Sequence, residues 1–116
     1  MIQKEITVNG KKYPVIFTLA TLSNFEEITG KPFFGQDLDT IRNRIAIICA
    51  AAIAADGNTE LTVEELRGQE TWDDYMQIAN AYSIVMELSR QFFPIPEVEK
   101  KEEPATEEEE EKPSKN

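Results

Sequence analysis

Residues 2–17 read IQKEITVNGKKYPVIF, and their pattern sets the start of the fold. Asn9-Gly10 separates two runs in which apolar and polar residues alternate. That dipeptide supplies the two positive-φ positions of a type I′ turn, so the stretch predicts a β-hairpin over 2–17. Pairing Val8 with Lys11 sets the register: Ile6 opposite Tyr13, Lys4 opposite Val15 and Ile2 opposite Phe17. One face then carries Ile2, Ile6, Val8, Tyr13, Val15 and Phe17, and the other carries Gln3, Glu5, Thr7 and Lys12. Pro14 falls opposite Glu5 at a non-hydrogen-bonded pair. Its missing N–H costs nothing there and blocks the outer edge of the second strand.

Beyond the hairpin the period changes from two to about 3.6. Thr18 reads as the N-cap of a helix over 19–29, closed by Gly30 and Pro32. KPFFGQD is a connection whose Phe33 and Phe34 are expected to fold onto the core. A second helix, 40–55, carries the stripe Ile41, Ile45, Ile48 and Ala52 and stops at Asp56-Gly57-Asn58; Ala50, Ala51 and Ala52 admit a close helix neighbour. Thr62 and Glu65 spell a capping box for a short helix over 63–67. Thr71, with Asp73 and Asp74 after it, opens the longest helix, 72–93, which Pro94 ends. Residues 94–116 are rich in Pro and Glu and poor in apolar side chains, the composition of a disordered tail. The expected class is α+β, mostly α: a hairpin packed on three to four helices as one globular domain, 1–93, followed by the tail.

Composition removes whole classes of chemistry. The 116 residues include no histidine and one cysteine, Cys49. Histidine-based acid/base catalysis, Ser-His nucleophiles, the usual zinc sites and internal disulfides are therefore excluded. The adjacent acid pairs Glu26-Glu27, Glu64-Glu65 and Asp73-Asp74 point about 100° apart on a helix, so none shares a site. Asp56–Leu66 resembles a calcium loop, but ligand positions one, three and twelve would fall on Ala52, Ala54 and Val63. Neither an enzyme, a cofactor nor a metal is expected. The longest apolar run, Ile45–Ala55, is too short to cross a bilayer. The N-terminal stretch has no apolar core of signal-peptide length, and the expected location is the cytoplasm.

The net charge of −10 divides evenly: residues 94–116 hold nine Glu and four Lys, and the remainder holds 13 acids and 8 bases. Without a Lys/Arg cluster, direct nucleic-acid binding is not expected. Solubility accounts for the charge; so would an acidic mimic of DNA that blocks a host nuclease or regulator.

The last helix carries two apolar stripes. Trp72, Tyr75, Met76, Ala79, Tyr82, Met86 and Phe93 form one, and Ile78, Val85, Leu88 and Phe92 the other. Two readings follow. The helix could be central and packed on both sides, or one stripe could face a partner's helix or a second copy of the chain. On the second reading the partner-binding candidates are Trp72, Tyr75, Met76, Tyr82, Met86, Phe92 and Phe93. Glu26 is a different case, an acid on the apolar side of its helix. Burial without a partner would be costly, so it is expected at the rim, bonded to a hairpin or connection group, with Lys4 or Lys31 as candidates.

A hairpin leading into FTLATLSNFEEITGKPFF resembles the start of phage tail assembly chaperones. The residues concerned are Phe17, Leu19, Leu22, Phe25-Glu26-Glu27 and Thr29-Gly30-Lys31, and LTVEELRG before a long helix is similar to a later segment of that family. The resemblance spans residues 5–93. It implies a non-enzymatic protein of a long-tailed phage or prophage, acting in the bacterial cytoplasm. Such a protein escorts the long helical tape measure protein and helps recruit tail tube subunits around it. A frameshifted, longer product occurs in many such phages. A small structural tail component is the neighbouring alternative.

Overall fold

The computed structural model describes residues 2–93; the Pro/Glu-rich tail lies outside the described residues. The fold is α+β and mostly α: an antiparallel hairpin of β1 (Lys4–Val8) and β2 (Lys11–Val15), then helices α1 (Leu19–Thr29), α2 (Ile41–Ala55), α3 (Val63–Arg67) and α4 (Trp72–Phe92). The register is the expected one, with Val8 opposite Lys11, Ile6 opposite Tyr13 and Glu5 opposite Pro14. Asn9 and Gly10 take φ of 53° and 80°, as the turn requires. The ladder stops at Lys4–Val15, so Ile2 is not paired with Phe17 and is exposed. Ile6, Val8, Tyr13 and Val15 bury the inner face.

The hairpin tip is held by groups distant in sequence. Gln77 Oε1 accepts the Asn9 N–H at 2.8 Å, and Glu65 Oε2 accepts from Asn9 Nδ2 at 3.4 Å. Glu65 therefore does not close a capping box. Thr62 Oγ1 accepts the Glu65 N–H at 3.0 Å, while the Glu65 carboxylate points to the turn. At the other end of the sheet Lys4 pairs with Glu87 of α4 at 3.3 Å, and the Ile16 N–H donates to Ala51 O of α2 at 3.3 Å.

The central element is α2. From Ile45 to Ala52 every residue is buried, because small side chains at Ala46, Ala50, Ala51 and Ala52 let neighbours approach from several directions. α1, β2, α3 and α4 all pack on it. A helix apolar all round is a buried helix. The expectation that α4 occupies the centre is corrected accordingly: α4 buries one face, Ile78, Ala81, Val85 and Leu88, against the hairpin and α2. The starting residue of α2 also moves by one, since Thr40 is its N-cap and accepts from the Asn43 N–H. Ile41, at the head of the expected stripe, is 48% exposed. At the far end α4 stops at Phe92, with Phe93 as its C-cap.

The phase of α1 is set by a polar residue. Thr21 is fully buried; its hydroxyl donates to Ile16 O at 2.9 Å and accepts the Thr18 N–H at 3.0 Å. The buried side of α1 is centred on Thr21, Leu22 and Phe25, leaving Leu19 at the edge and 72% exposed. Glu26 sits at the same rim. Its Oε2 accepts the Phe33 N–H at 3.0 Å, so the partner is a connection group; Lys4 pairs with Glu87 instead, and among the described residues Lys31 forms no ion pair with Glu26. Removing the acceptor leaves a part-buried N–H without a partner. Glu26→Ala is expected to lose about 1 kcal/mol, and Glu26→Gln less, in urea unfolding. An alanine variant as stable as wild type would contradict this bond.

α4 starts with a reciprocal cap. Thr71 Oγ1 accepts the Asp74 N–H at 3.0 Å, and Asp74 Oδ2 accepts the N–H groups of Glu70 and Thr71, both at 3.2 Å. The Glu70 bond first, then the Thr71 bond, holds the Asp74 carboxyl below its usual pKa. A depressed native pKa means the cap stabilises above the ordinary carboxylate range and is lost as pH falls through it toward the native value. Acidification is therefore expected to loosen the first turn before the domain unfolds, and fluorescence of Trp72, the sole tryptophan, reads that turn directly. An identical acid response in Asp74→Ala would assign the effect to another group.

Candidate functional site

A groove of about 960 Å³ lies between α1, α2 and α3. Its floor is the side of α2 that carries Ile41, Ile45, Ala46, Cys49 and Ile53. Ile28 and Thr29 form one wall, from the last turn of α1, and Leu61, Thr62 and Val63 begin the other, at the entry to α3. Local structure explains the opening. α1 packs on α2 through the small alanines, where Asn24 Nδ2 donates to Ala50 O at 3.2 Å, and it ends at Gly30 with φ 73°. α3 has only five residues, Val63–Arg67, so it shields little of the neighbouring side of α2. Between the two, Ile41 is half exposed and Ile53 partly exposed, while Ile45, Ala46 and Cys49 beneath them are buried.

The lining is aliphatic, with three charged residues at its edge: Arg42, Glu64 and Arg67. Few groups in it could perform chemistry. Burial, assisted by Glu64 and Glu65, pushes the Cys49 thiol up to about 12, so it is neutral and unreactive near neutral pH. Among the described residues no cluster of Cys, Asp and Glu could hold a metal ion, and no helix is long and apolar enough to cross a membrane. Glu64 is the one carboxylate in its lining, and it stands beside the bases Arg42 and Arg67.

The seven residues expected to bind a partner do not come together. Tyr82, Met86, Phe92 and Phe93 are partly buried against the core. Tyr82 lies under the Arg44 guanidinium, 4.7 Å from its ring centroid, tying α4 to the start of α2. Its hydroxyl pKa is raised, chiefly by burial. Phe92 and Phe93 close on Phe17, with ring centroids 5.6 and 5.8 Å apart. They belong to a cluster that takes in all six phenylalanines of the chain, from Phe25, edge-on to Phe33 at 5.3 Å, to Phe34, which packs on Phe33 and Phe93 yet stays 68% exposed. Of the seven, Trp72 and Met76 are exposed, and Tyr75 is half-buried beside Trp72. Trp72 is 71% exposed and sits 5.0 Å from Tyr75. A 21-residue helix is about 30 Å long, so this patch and the phenylalanine cluster lie at opposite ends of α4.

The groove residues escaped sequence reasoning, because a groove is an apposition of three elements. One signal was available: Ile41 and Ile53 are aliphatic positions on a helix whose remaining surface is already matched by small alanines. No family model, curated protein or solved structure matches this chain.

Proposed function

We propose that the chain is a non-enzymatic tail assembly chaperone of a long-tailed phage or prophage. It holds apolar helical segments of the tape measure protein and assists assembly of tail tube subunits in the bacterial cytoplasm. The observation that carries this reading is the groove beside α2, walled by α1 and α3, whose accessible aliphatic residues are Ile28, Ile41, Ile53 and Val63. A groove with an aliphatic floor suits the apolar face of an amphipathic helix, whose anchors recur at i, i+3 and i+4. The resemblance of residues 5–93 to that family supplies the class of partner. An acidic chain of net charge −10 would keep a complex with an aggregation-prone helix in solution.

Co-expression of the full chain with a tape measure protein is the direct test. The tape measure protein is expected to move to the soluble fraction and to elute with the chain on gel filtration. If it stays equally insoluble and no complex elutes, the reading fails.

The DNA-mimic reading needs carboxylates at phosphate-like intervals on a folded face. Within residues 2–93 three acids are engaged by bases, as Lys4–Glu87, Lys11–Glu60 and Arg44–Asp39, and half the net charge belongs to residues 94–116. No observation of the fold favours that reading.

A further inference from the structure

The two edges of the hairpin differ. A two-residue turn makes Val8–Lys11 a hydrogen-bonded pair, so Ile6–Tyr13 and Lys4–Val15 are bonded pairs too. The residues between them turn their backbone groups outward. On β2 these are Lys12 and Pro14, followed by Ile16; Pro14 has no N–H, and Ala51 O of α2 takes the Ile16 N–H. On β1 they are Glu5 and Thr7, followed by Asn9, whose N–H goes to Gln77. Among the described residues nothing bonds the outward N–H and C=O groups of Glu5 and Thr7, and both residues are exposed. Such a row is a template for a further strand.

α4 shapes what can pair there. Gln77 meets Asn9 at one end of β1, and Glu87 meets Lys4 at the other, so the helix lies along the strand. Gln77, Asn80, Ile84 and Glu87 are spaced three, four and three, and share one side of α4. That side is accessible: Asn80 and Glu87 are exposed, and Gln77 and Ile84 are half-buried. A helix is about 10 Å across and strands lie about 4.8 Å apart, so α4 reaches under the position next to β1. It offers an added strand a ledge for alternate side chains, with Ile84 near its middle.

Space and charge select the occupant. A second copy would have to set its own β1 against this one about a twofold axis. That brings a second α4 onto the ledge that the first already fills, whereas a lone strand of another protein meets no such obstacle. Glu5 is the ionisable residue of the outward row, and among the described residues it forms no ion pair. A base directly opposite completes a cross-strand pair with it. The net charge of −10 favours approach of a basic segment.

We infer that the outer edge of β1 takes an extended segment of a basic partner protein as a third strand, with a Lys or Arg opposite Glu5 and an apolar side chain over Ile84. Backbone bonds to Glu5 and Thr7 supply the attachment, and the alternation of basic and apolar residues supplies the choice of segment. This edge shares no residue with the α1–α2–α3 groove and does not depend on the helix-holding reading.

The test uses the full chain, isotope-labelled at its backbone amides, and a synthetic peptide of about eight residues in which lysine and valine alternate. Saturable shifts are expected at the Glu5 and Thr7 amides, with hydrogen exchange there slowed about tenfold or more, while the Lys12 amide stays in place. Glu5→Lys is expected to weaken the peptide about fivefold. Thr7→Pro removes one outward N–H, leaves the bonded pairs of the hairpin intact, and is expected to abolish binding. The same peptide N-methylated at the amides that face β1 makes that test without altering the chain, and it is expected not to bind. No shift at millimolar peptide overturns the inference. So do shifts at Trp72 or at Ile41 and Ile53 in place of β1, or an N-methylated peptide that binds as well as its parent. An affinity unchanged by Glu5→Lys overturns the choice of a basic occupant. Protection of Glu5 and Thr7 that rises with chain concentration in the absence of peptide, together with a dimer on gel filtration, overturns it as well, since a second copy then fills the edge.

Discussion

Phe25→Ala is expected to cost about 3–5 kcal/mol, the largest loss for a single substitution in the domain. Phe25 is fully buried, and its ring meets Phe33 edge-on at 5.3 Å. Through Phe33 it supports Phe17 and Phe93, so the vacancy would open at the junction of the hairpin exit, α1 and the end of α4. Neighbouring rings are held by several partners each and cannot collapse far into the space. Small domains have total stabilities of about 5–15 kcal/mol, and one of this size belongs near the lower end. Urea unfolding should show the midpoint falling by more than a third, or no cooperative transition at all. Phe34→Ala is the control. That ring is 68% exposed, so its loss should cost no more than about 1 kcal/mol. A Phe25→Ala variant within about 1 kcal/mol of wild type would contradict the packing described.

Ile41→Glu is expected to separate binding from stability. Ile41 is the first residue of α2 and half exposed, at the mouth of the groove. An acid in the first turn interacts favourably with the helix dipole, so folding should change by no more than about 0.5 kcal/mol. A bound helix would instead meet a carboxylate where it needs an aliphatic surface. Lost burial and desolvation of the charge together should weaken an apolar helical peptide by tenfold or more, about 1.4 kcal/mol at least. Trp72→Ala and Met76→Ala, on the outer face of α4, should leave that affinity unchanged. The reverse pattern would transfer binding to the α4 patch, where the apolar stripe of that helix first suggested it.

What was legible in the sequence was local. Asn9-Gly10 and the alternation around it predict both the turn and the register, because a two-residue turn leaves one pairing that keeps Ile6, Val8, Tyr13 and Val15 on a common face. Thr18, Thr62 and Thr71 cap their helices as their positions suggest. Contacts across the chain were not legible. Nothing near Glu65 indicates that its carboxylate turns to Asn9, and nothing near Thr21 indicates that a threonine anchors the buried side of α1. The role of α2 is an intermediate case. IAIICAAAIAA is apolar on every side, the pattern of a buried helix, whereas the polar Asn80, Ser83, Glu87 and Arg90 mark one side of α4 for solvent. Aromatic residues point to α4 as the centre, whereas the polar gaps along it leave that place to α2. The groove depends on how far α3 extends along α2, a property of the tertiary arrangement.

The most direct measurement is a titration of the isoleucine-methyl-labelled full chain with a helical peptide from the apolar repeats of a tape measure protein. The account predicts saturable shifts at Ile28, Ile41, Ile45 and Ile53, while Ile6 and Ile47 stay in place. Shifts confined to residues beside Trp72, Tyr75 and Met76, or none at millimolar peptide, would contradict it.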